Sequence, residues 1–261
     1  MLILNDIDLN TASEKEIIDI VNLCAKHSCV TVRNQKLSVE READIVKMFP
    51  NPYVLFEPGT PGFDRSALDN EGYIGLVTKD SIAGHEEEML WHNESPHARP
   101  GSSVAWLYAE TGVEGSTTVW NNTVEAYKDL DEETKDRIKD LKVITFGNVN
   151  HSVKRTQENF DNRLIYNDIP TPLVHTNHLG ETGIFLSLYQ FERFEGMSRE
   201  ESLEIAGPLF NFITKDKYCY VHEWKDGDVS FSDQWIGVHK RLHFDAMRTR
   251  RVHRATFDYP I

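Results

Sequence analysis

Apolar and polar positions change their spacing several times along this chain, and each change marks an element. The opening LILNDIDLN reads as a short strand, after which Ser13 to Lys26 shifts to helical spacing with Ile17, Ile18, Val21 and Leu23 available for burial. Ser13 stands three residues before Glu16, the pattern of a capping box in which each side chain satisfies a backbone N–H at the helix start. Cys29 to Val32 is a compact apolar strand, and Val39 to Phe49 a second helix stopped by Pro50 and Pro52. Gly, Pro and Asp then accumulate from Asn51 to His85, where short strands fit only at Tyr53 to Phe56 and Tyr73 to Val77, so this stretch predicts a mobile loop. Met89 to His92 leads into a strand and Ser103 to Ala109 reads as a buried one. Trp120 and Asn121 precede a helix over Thr123 to Leu130, and the alternating charges of DEETKDRIKDL predict a further helix with a solvated face.

Strand spacing returns at Val143 to Phe146. Asn148 to Thr182 is polar and holds His151, His175 and His178, with strand candidates at Leu164 to Tyr166 and Leu173 to His175. Ile184 to Leu188 predicts another strand, and Ser198 to Thr214 a strong helix that Ser198 and Glu201 cap together. The end is rich in strands: Tyr218 to Trp224, a turn at Lys225 to Asp228, Val229 to Asp233, and Arg250 to Phe257. Many strands with helices gathered before, between and outside them predict a mainly β fold with flanking helices around a barrel-like core. Residues 1–261 read as a single domain, with candidate substrate-covering loops at 51–85 and 148–182. There is no internal repeat and no Gly-rich turn suited to a nucleotide phosphate.

Charge narrows the partners. The 28 basic residues stand against 42 acidic ones, a formal net charge of -14 spread along the chain. Such a surface disfavours nucleic acid and anionic membranes and points to a small-molecule substrate, yet leaves room for a local basic pocket, for which Arg248, Arg250, Arg251 and Arg254 are the candidates. Cys24, Cys29 and Cys219 lack paired metal-binding spacing and read as buried thiols of a reducing compartment. No basic region precedes an apolar leader and no apolar run is long enough to span a bilayer, so a cytoplasmic location is expected.

The sharpest chemistry lies in Trp91-His92-Asn93-Glu94. Residues two apart on a strand share a face, so His92 and Glu94 can grip one ion. His239, after the strand-turn-strand EWKDGDVSFSD and 11 residues before Arg250, is the best third ligand. Two imidazoles and one carboxylate form a facial triad that suits Fe(II) and leaves positions for a cosubstrate and O2.

On these residues and several ordered phrases the chain resembles the taurine dioxygenase-like (TauD/TfdA) family of Fe(II)- and 2-oxoglutarate-dependent dioxygenases. WHNE matches the family's His-x-Asp or His-x-Glu motif. EGSTTVWNNTVEAYKDL resembles its Gly-Gly-x-Thr-x-Trp segment, TPLVHTNHLGETGIFLS its Pro-Leu-Val-x-Thr-His-Pro-x-Thr-Gly stretch, and RRVHRATF its Arg-rich closing strand. The likeness covers roughly residues 80–261. It implies a distorted double-stranded β-helix (jelly-roll or cupin-like) core, with Fe(II), 2-oxoglutarate and O2 as metal and cosubstrates. It also implies hydroxylation of a small polar substrate with release of succinate and CO2, and allows a homo-oligomer.

By the same resemblance His92, Glu94 and His239 are the catalytic metal ligands, while Thr118 and Arg250 hold the distal carboxylate of 2-oxoglutarate. Arg254 is expected either to assist there or to grip an anionic group of the substrate. A planar guanidinium offers paired donors that Lys does not reproduce. Glu94 stands where taurine dioxygenase has Asp, and His175 replaces the Arg of Pro-Leu-Val-Arg, which points away from taurine itself. A carboxylate at Glu94 also favours hydroxylation over halogenation. His97, Glu88 and His175 are candidate substrate contacts, Glu88 closing an acidic run from His85 that would attract an amine. An amino acid is therefore the first substrate class. A small sulfonate or related organic acid, with C–S or C–N cleavage, is the second, and a non-catalytic β-barrel binding protein the third.

Overall fold

The computed structural model describes residues 1–54, 58, 66–78, 88–94, 103–145, 170–188, 190–244 and 250–260. In order these form β1 (Leu2–Leu4), α1 (Glu14–His27), β2 (Cys29–Val32), α2 (Val39–Lys47), β3 (Gly75–Thr78), β4 (Met89–His92), β5 (Val104–Thr111) and β6 (Thr117–Asn121). Then follow α3 (Thr123–Lys128), α4 (Glu132–Ile138), β7 (Lys142–Thr145), β8 (Thr171–Pro172), β9 (Val174–Thr176), β10 (Thr182–Ile184), β11 (Phe191–Phe194) and α5 (Arg199–Ile213). The chain closes with β12 (Cys219–Glu223), β13 (Val229–Asp233), β14 (His239–Arg241) and β15 (Arg251–Phe257). Both capping boxes form as predicted, Ser13 with Glu16 and Ser198 with Glu201. Among the described residues no helix is long and apolar enough to cross a membrane.

Two sheets make the core. One has six strands in the order β1-β2-β13-β5-β15-β3, the other four in the order β12-β6-β14-β4. Most neighbours are distant in sequence, as in a jelly roll, and the mainly β class with flanking helices holds. Val30, Val32, Trp106, Tyr108, Val229 and Phe231 of the larger sheet pack with Ile17, Val21, Ile45 and Val46 of α1 and α2, which is why those helices carry an apolar stripe. Between the two sheets lies a second cluster that includes Cys29, Ala109 and Val252 from one, and Trp120 from the other. A third core joins α3 and α5 to β7, β10 and β11.

Several elements differ from the sequence reading. The strands β6, β11 and β14 were not foreseen, and the apolar run from Ile184 begins only as β10 ends. In β6 Thr118, Val119, Trp120 and Asn121 are all buried, so the two-residue alternation that betrays a half-exposed strand is absent. In β14 the inward positions are His239 and Arg241, so the strand has no apolar face to recognise. The strand predicted over Leu164 to Tyr166, most of the 148–182 loop and much of the 51–85 loop lie outside the described residues, as do His151 and Arg248.

Candidate active site

The smaller sheet lays out the chemistry in rows. His239 on β14 pairs with His92 on β4 and with Trp120 on β6, and two residues along, Arg241 pairs with Met89, beyond a register shift against β4, and with Thr118. Glu94 lies just past the end of β4, so strand periodicity alone does not bring it to the imidazoles. A hydrogen-bonded clamp does. Asn93 donates its side-chain amide to the carbonyls of Gln234 and Gly237 at 2.8 and 2.7 Å, and Gln234 Oε1 accepts the Glu94 backbone N–H at 2.7 Å. Gln190 closes the other side, accepting from Asn93 N and donating to Asn93 O.

The loop between β13 and β14 is fixed just as firmly. Asp233 accepts the backbone N–H groups of Trp235 and Ile236 and the hydroxyl of Tyr259. Asn121 Oδ1 accepts Val238 N at 2.8 Å. Asn93, Gln190, Gln234, Asn121 and Asp233 are thus positioning residues. None of them stands out in the sequence as a positioning residue; an Asn between two candidate ligands was the signal available for Asn93.

The clamp brings His92, Glu94 and His239 together, with one ligand atom of each within 4.8 Å of the others. Glu94 Oε1 lies 3.7 Å from His92 Nε2 and 3.4 Å from His239 Nε2, and the two rings are 4.3 Å apart. His92 Nδ1 is 2.6 Å from the carbonyl of Leu90. A carbonyl only accepts, so Nδ1 carries a proton and Nε2 is the ring nitrogen turned toward Glu94. Burial, then the neighbouring His92, pushes His239 down to about 4, so its imidazole is neutral at physiological pH. Burial alone would raise the Glu94 carboxyl, but the Arg254 guanidinium, then hydrogen bonds from His239 and His92, hold it well below the usual range. Two imidazoles and one carboxylate converging on one point fit a single divalent metal.

Arg254, on β15 of the opposite sheet, reaches Glu94 Oε2 at 2.5 Å, so each carboxylate oxygen has its own task. Thr118 Oγ1 accepts from Trp224 Nε1 at 2.9 Å, which directs the hydroxyl proton elsewhere. Arg250 is buried, and its Nε and Nη1 find no hydrogen-bond partner among the described residues. A bulge interrupts β15 between Arg251 and Val252; Arg251 pairs with Glu110 while Arg250 stays inside. Of the remaining candidates, Glu88 pairs with Lys240 at 2.9 Å and His175 stacks on Trp235 with ring centroids 4.6 Å apart. His97 lies outside the described residues.

A profile of the "Taurine catabolism dioxygenase TauD, TfdA family" matches residues 4–256. The chain belongs to the TauD/TfdA family. Two relatives are α-ketoglutarate-dependent 2,4-dichlorophenoxyacetate dioxygenases. The one from Burkholderia sp. (strain RASC) is 22% identical, covering 94% of this chain and 86% of the relative. The one from Cupriavidus pinatubonensis is 23% identical, covering 96% and 92%. Among solved structures, AAD-2 in complex with Mn(II) and N-oxalylglycine superposes with a TM-score of 0.78 at 20% identity, covering 100% of this chain and 96% of that one. A taurine dioxygenase from Burkholderia xenovorans gives 0.74 at 19%, covering 97% and 85%. As a TauD/TfdA member the chain is a dioxygenase dependent on Fe(II), 2-oxoglutarate (α-ketoglutarate) and O2.

Proposed function

We propose that this dioxygenase hydroxylates a small polar substrate carrying an acidic group, with an amino acid as the first candidate, and releases succinate and CO2. In this reading His92, Glu94 and His239 hold the iron. Thr118 and Arg250 hold the distal carboxylate of 2-oxoglutarate, and Arg254 stands where it meets an anionic group of the substrate. The observation that carries the reading is the convergence of the three ligand atoms within 4.8 Å, one row along the sheet from Thr118.

Bound iron would supply the oxygen activation; the protein's part is to position and to exclude. Thr118, with its acceptor lone pair taken by Trp224, has its proton available for a carboxylate, and the unpartnered N–H groups of Arg250 supply charge-assisted donors. Arg254 keeps Glu94 ionised and turned so that Oε1 faces the imidazoles. The burial of His92 and His239 beside the partly covered Glu94 limits the access of bulk water to the reacting carbon. An ammonium on the substrate is favoured by the acidic run that ends at Glu88, although Glu88 shares its charge with Lys240.

A second reading is favoured by the relatives, whose names describe oxidation of an aryloxy acid: Arg254 would then grip the carboxylate of a non-amino organic acid or a small sulfonate. Anaerobic titration with Fe(II) and 2-oxoglutarate should produce a visible charge-transfer band that shifts when the right substrate class is added. A shift with amino acids alone supports the first reading, and one with organic acids or sulfonates alone supports the second. Absence of the band in metal-competent protein would sink the site assignment.

A further inference from the structure

Arg241 is the residue that neither the sequence motifs nor the reading above employs. It is buried, although it lies on a three-residue strand whose other inward position is His239. Lys240 between them points outward to Glu88 and lies over Trp91. Arg241 is paired across the ladder with Thr118. Two residues along a strand span about 6.7 Å, so the Arg241–Thr118 row lies one short carbon chain from the row that holds His92 and His239. Phe244 is shared by two cations: the guanidinium carbon of Arg241 is 4.7 Å from its ring centre and that of Arg250 is 5.3 Å away.

We infer that Arg241 is a second guanidinium of the seat for the distal carboxylate of 2-oxoglutarate, acting with Arg250 and Thr118 across the ring of Phe244. The inference rests on the assignment of that seat to Arg250 and Thr118. Two buried like charges repel, and an arrangement that gathers them around one aromatic face is stabilised by an anion between them. Among the described residues no carboxylate reaches Arg250. Burial, and then the neighbouring charge of Arg241, lowers Arg250 to about 9, so Arg250 remains cationic at neutral pH. With two forks facing one carboxylate, the seat selects a keto acid that ends in a carboxylate over one that ends in a methyl group.

The test compares two ligands on the iron-loaded protein by anaerobic calorimetry: 2-oxoglutarate, and 2-oxopentanoate, which keeps the proximal keto acid but lacks the distal carboxylate. Arg241→Gln should weaken 2-oxoglutarate by about 10- to 100-fold, the range for a lost charged hydrogen bond, and leave 2-oxopentanoate within about twofold. An equal loss for both ligands would assign Arg241 a purely structural role, and no loss for either would remove it from the seat; each overturns the inference. Arg250→Gln is run beside it. Selective loss in Arg250→Gln without selective loss in Arg241→Gln defeats this inference alone, whereas unchanged selectivity in Arg250→Gln defeats the underlying seat and the inference with it. Should Arg241→Gln fail to fold, Arg241→Lys, which keeps the charge but not the fork, is used in its place. It should show a severalfold loss confined to 2-oxoglutarate, and unchanged discrimination there overturns the inference.

Discussion

Glu94, partly buried, and Asp233, fully buried, are carboxyls near the β13–β14 loop, and their surroundings drive them in opposite directions. Glu94 has Arg254 at 2.5 Å and is held ionised. Asp233 has only backbone N–H groups and the Tyr259 hydroxyl against its burial, and is pushed up to about 6. A carboxyl raised on folding contributes stability below its unfolded value, near 3.9, and loses it as pH rises through 6. His239, lowered to about 4, has the reverse sign: its contribution is present above about 6.5 and is lost as pH falls toward 4. The two nearly cancel between pH 4 and 6 in the metal-free protein. Asp233→Asn removes one side of that balance, so relative to wild type the variant should gain about 1–3 kcal/mol between pH 4.5 and pH 7. Denaturant melts of both proteins at those two pH values measure it, and a difference that does not change with pH would mean Asp233 titrates normally. The three candidate ligands could be picked from the sequence because a metal needs particular side chains; the depressed and raised pKa values could not, because they arise from burial and from Arg254, 160 residues from Glu94 in sequence.

The elements that carry the site were the least visible ones. Helices α1 and α5 announced themselves through capping boxes and apolar stripes, and β13 through its strand spacing, because most of their residues serve packing. The short β14 spends its inward positions on His239 and Arg241 and so has no packing pattern to read. What holds it is the loop before it, and Gly237 shows how closely that loop is fitted. A Cβ there would lie 2.2 Å from Ser28 Oγ and 3.1 Å from the carbonyl of Asn121. Gly237→Ala should therefore destabilise the protein by about 1–3 kcal/mol. Adding Ser28→Gly should restore part of this, since Ser28 itself has φ 65°, where glycine is at ease, although its hydrogen bond to Asn121 is lost. Thermal melts of the single and double variants decide it, and a fully additive pair would place the clash elsewhere. Asn93→Ala attacks the same loop from β4, stranding the carbonyls of Gln234 and Gly237. It should weaken metal affinity by about 10- to 100-fold, as loss of a ligand-orienting contact does, measurable by competition with a chromogenic chelator.

At the scale of the molecule, the barrel-like architecture follows from strand-rich sequence and from a family likeness, but its consequence for the site lies in which sheet supplies which group. His92 and His239 stand on the four-stranded sheet with Thr118, while Arg254 comes from the six-stranded sheet and touches Glu94 across the gap. The two sheets otherwise meet through the apolar cluster that includes Trp120, Ala109 and Val252. Metal and cosubstrate would therefore be bound by the folded pair of sheets and not by either alone, and their binding free energy adds to folding. At a ligand concentration of 100 times Kd the gain is about 2.7 kcal/mol, which for a chain of this size raises the melting temperature by about 5–10 °C. Chelated protein should melt lowest, protein with divalent metal higher, and protein with metal and 2-oxoglutarate highest. Arg250→Gln should keep the increment from the metal and lose most of that from 2-oxoglutarate, because it removes the proposed distal anchor and leaves the three candidate ligands untouched. If Arg250→Gln retained the full cosubstrate increment, the carboxylate would be held elsewhere; if metal bound without raising the melting temperature, the three converging side chains would not be its site.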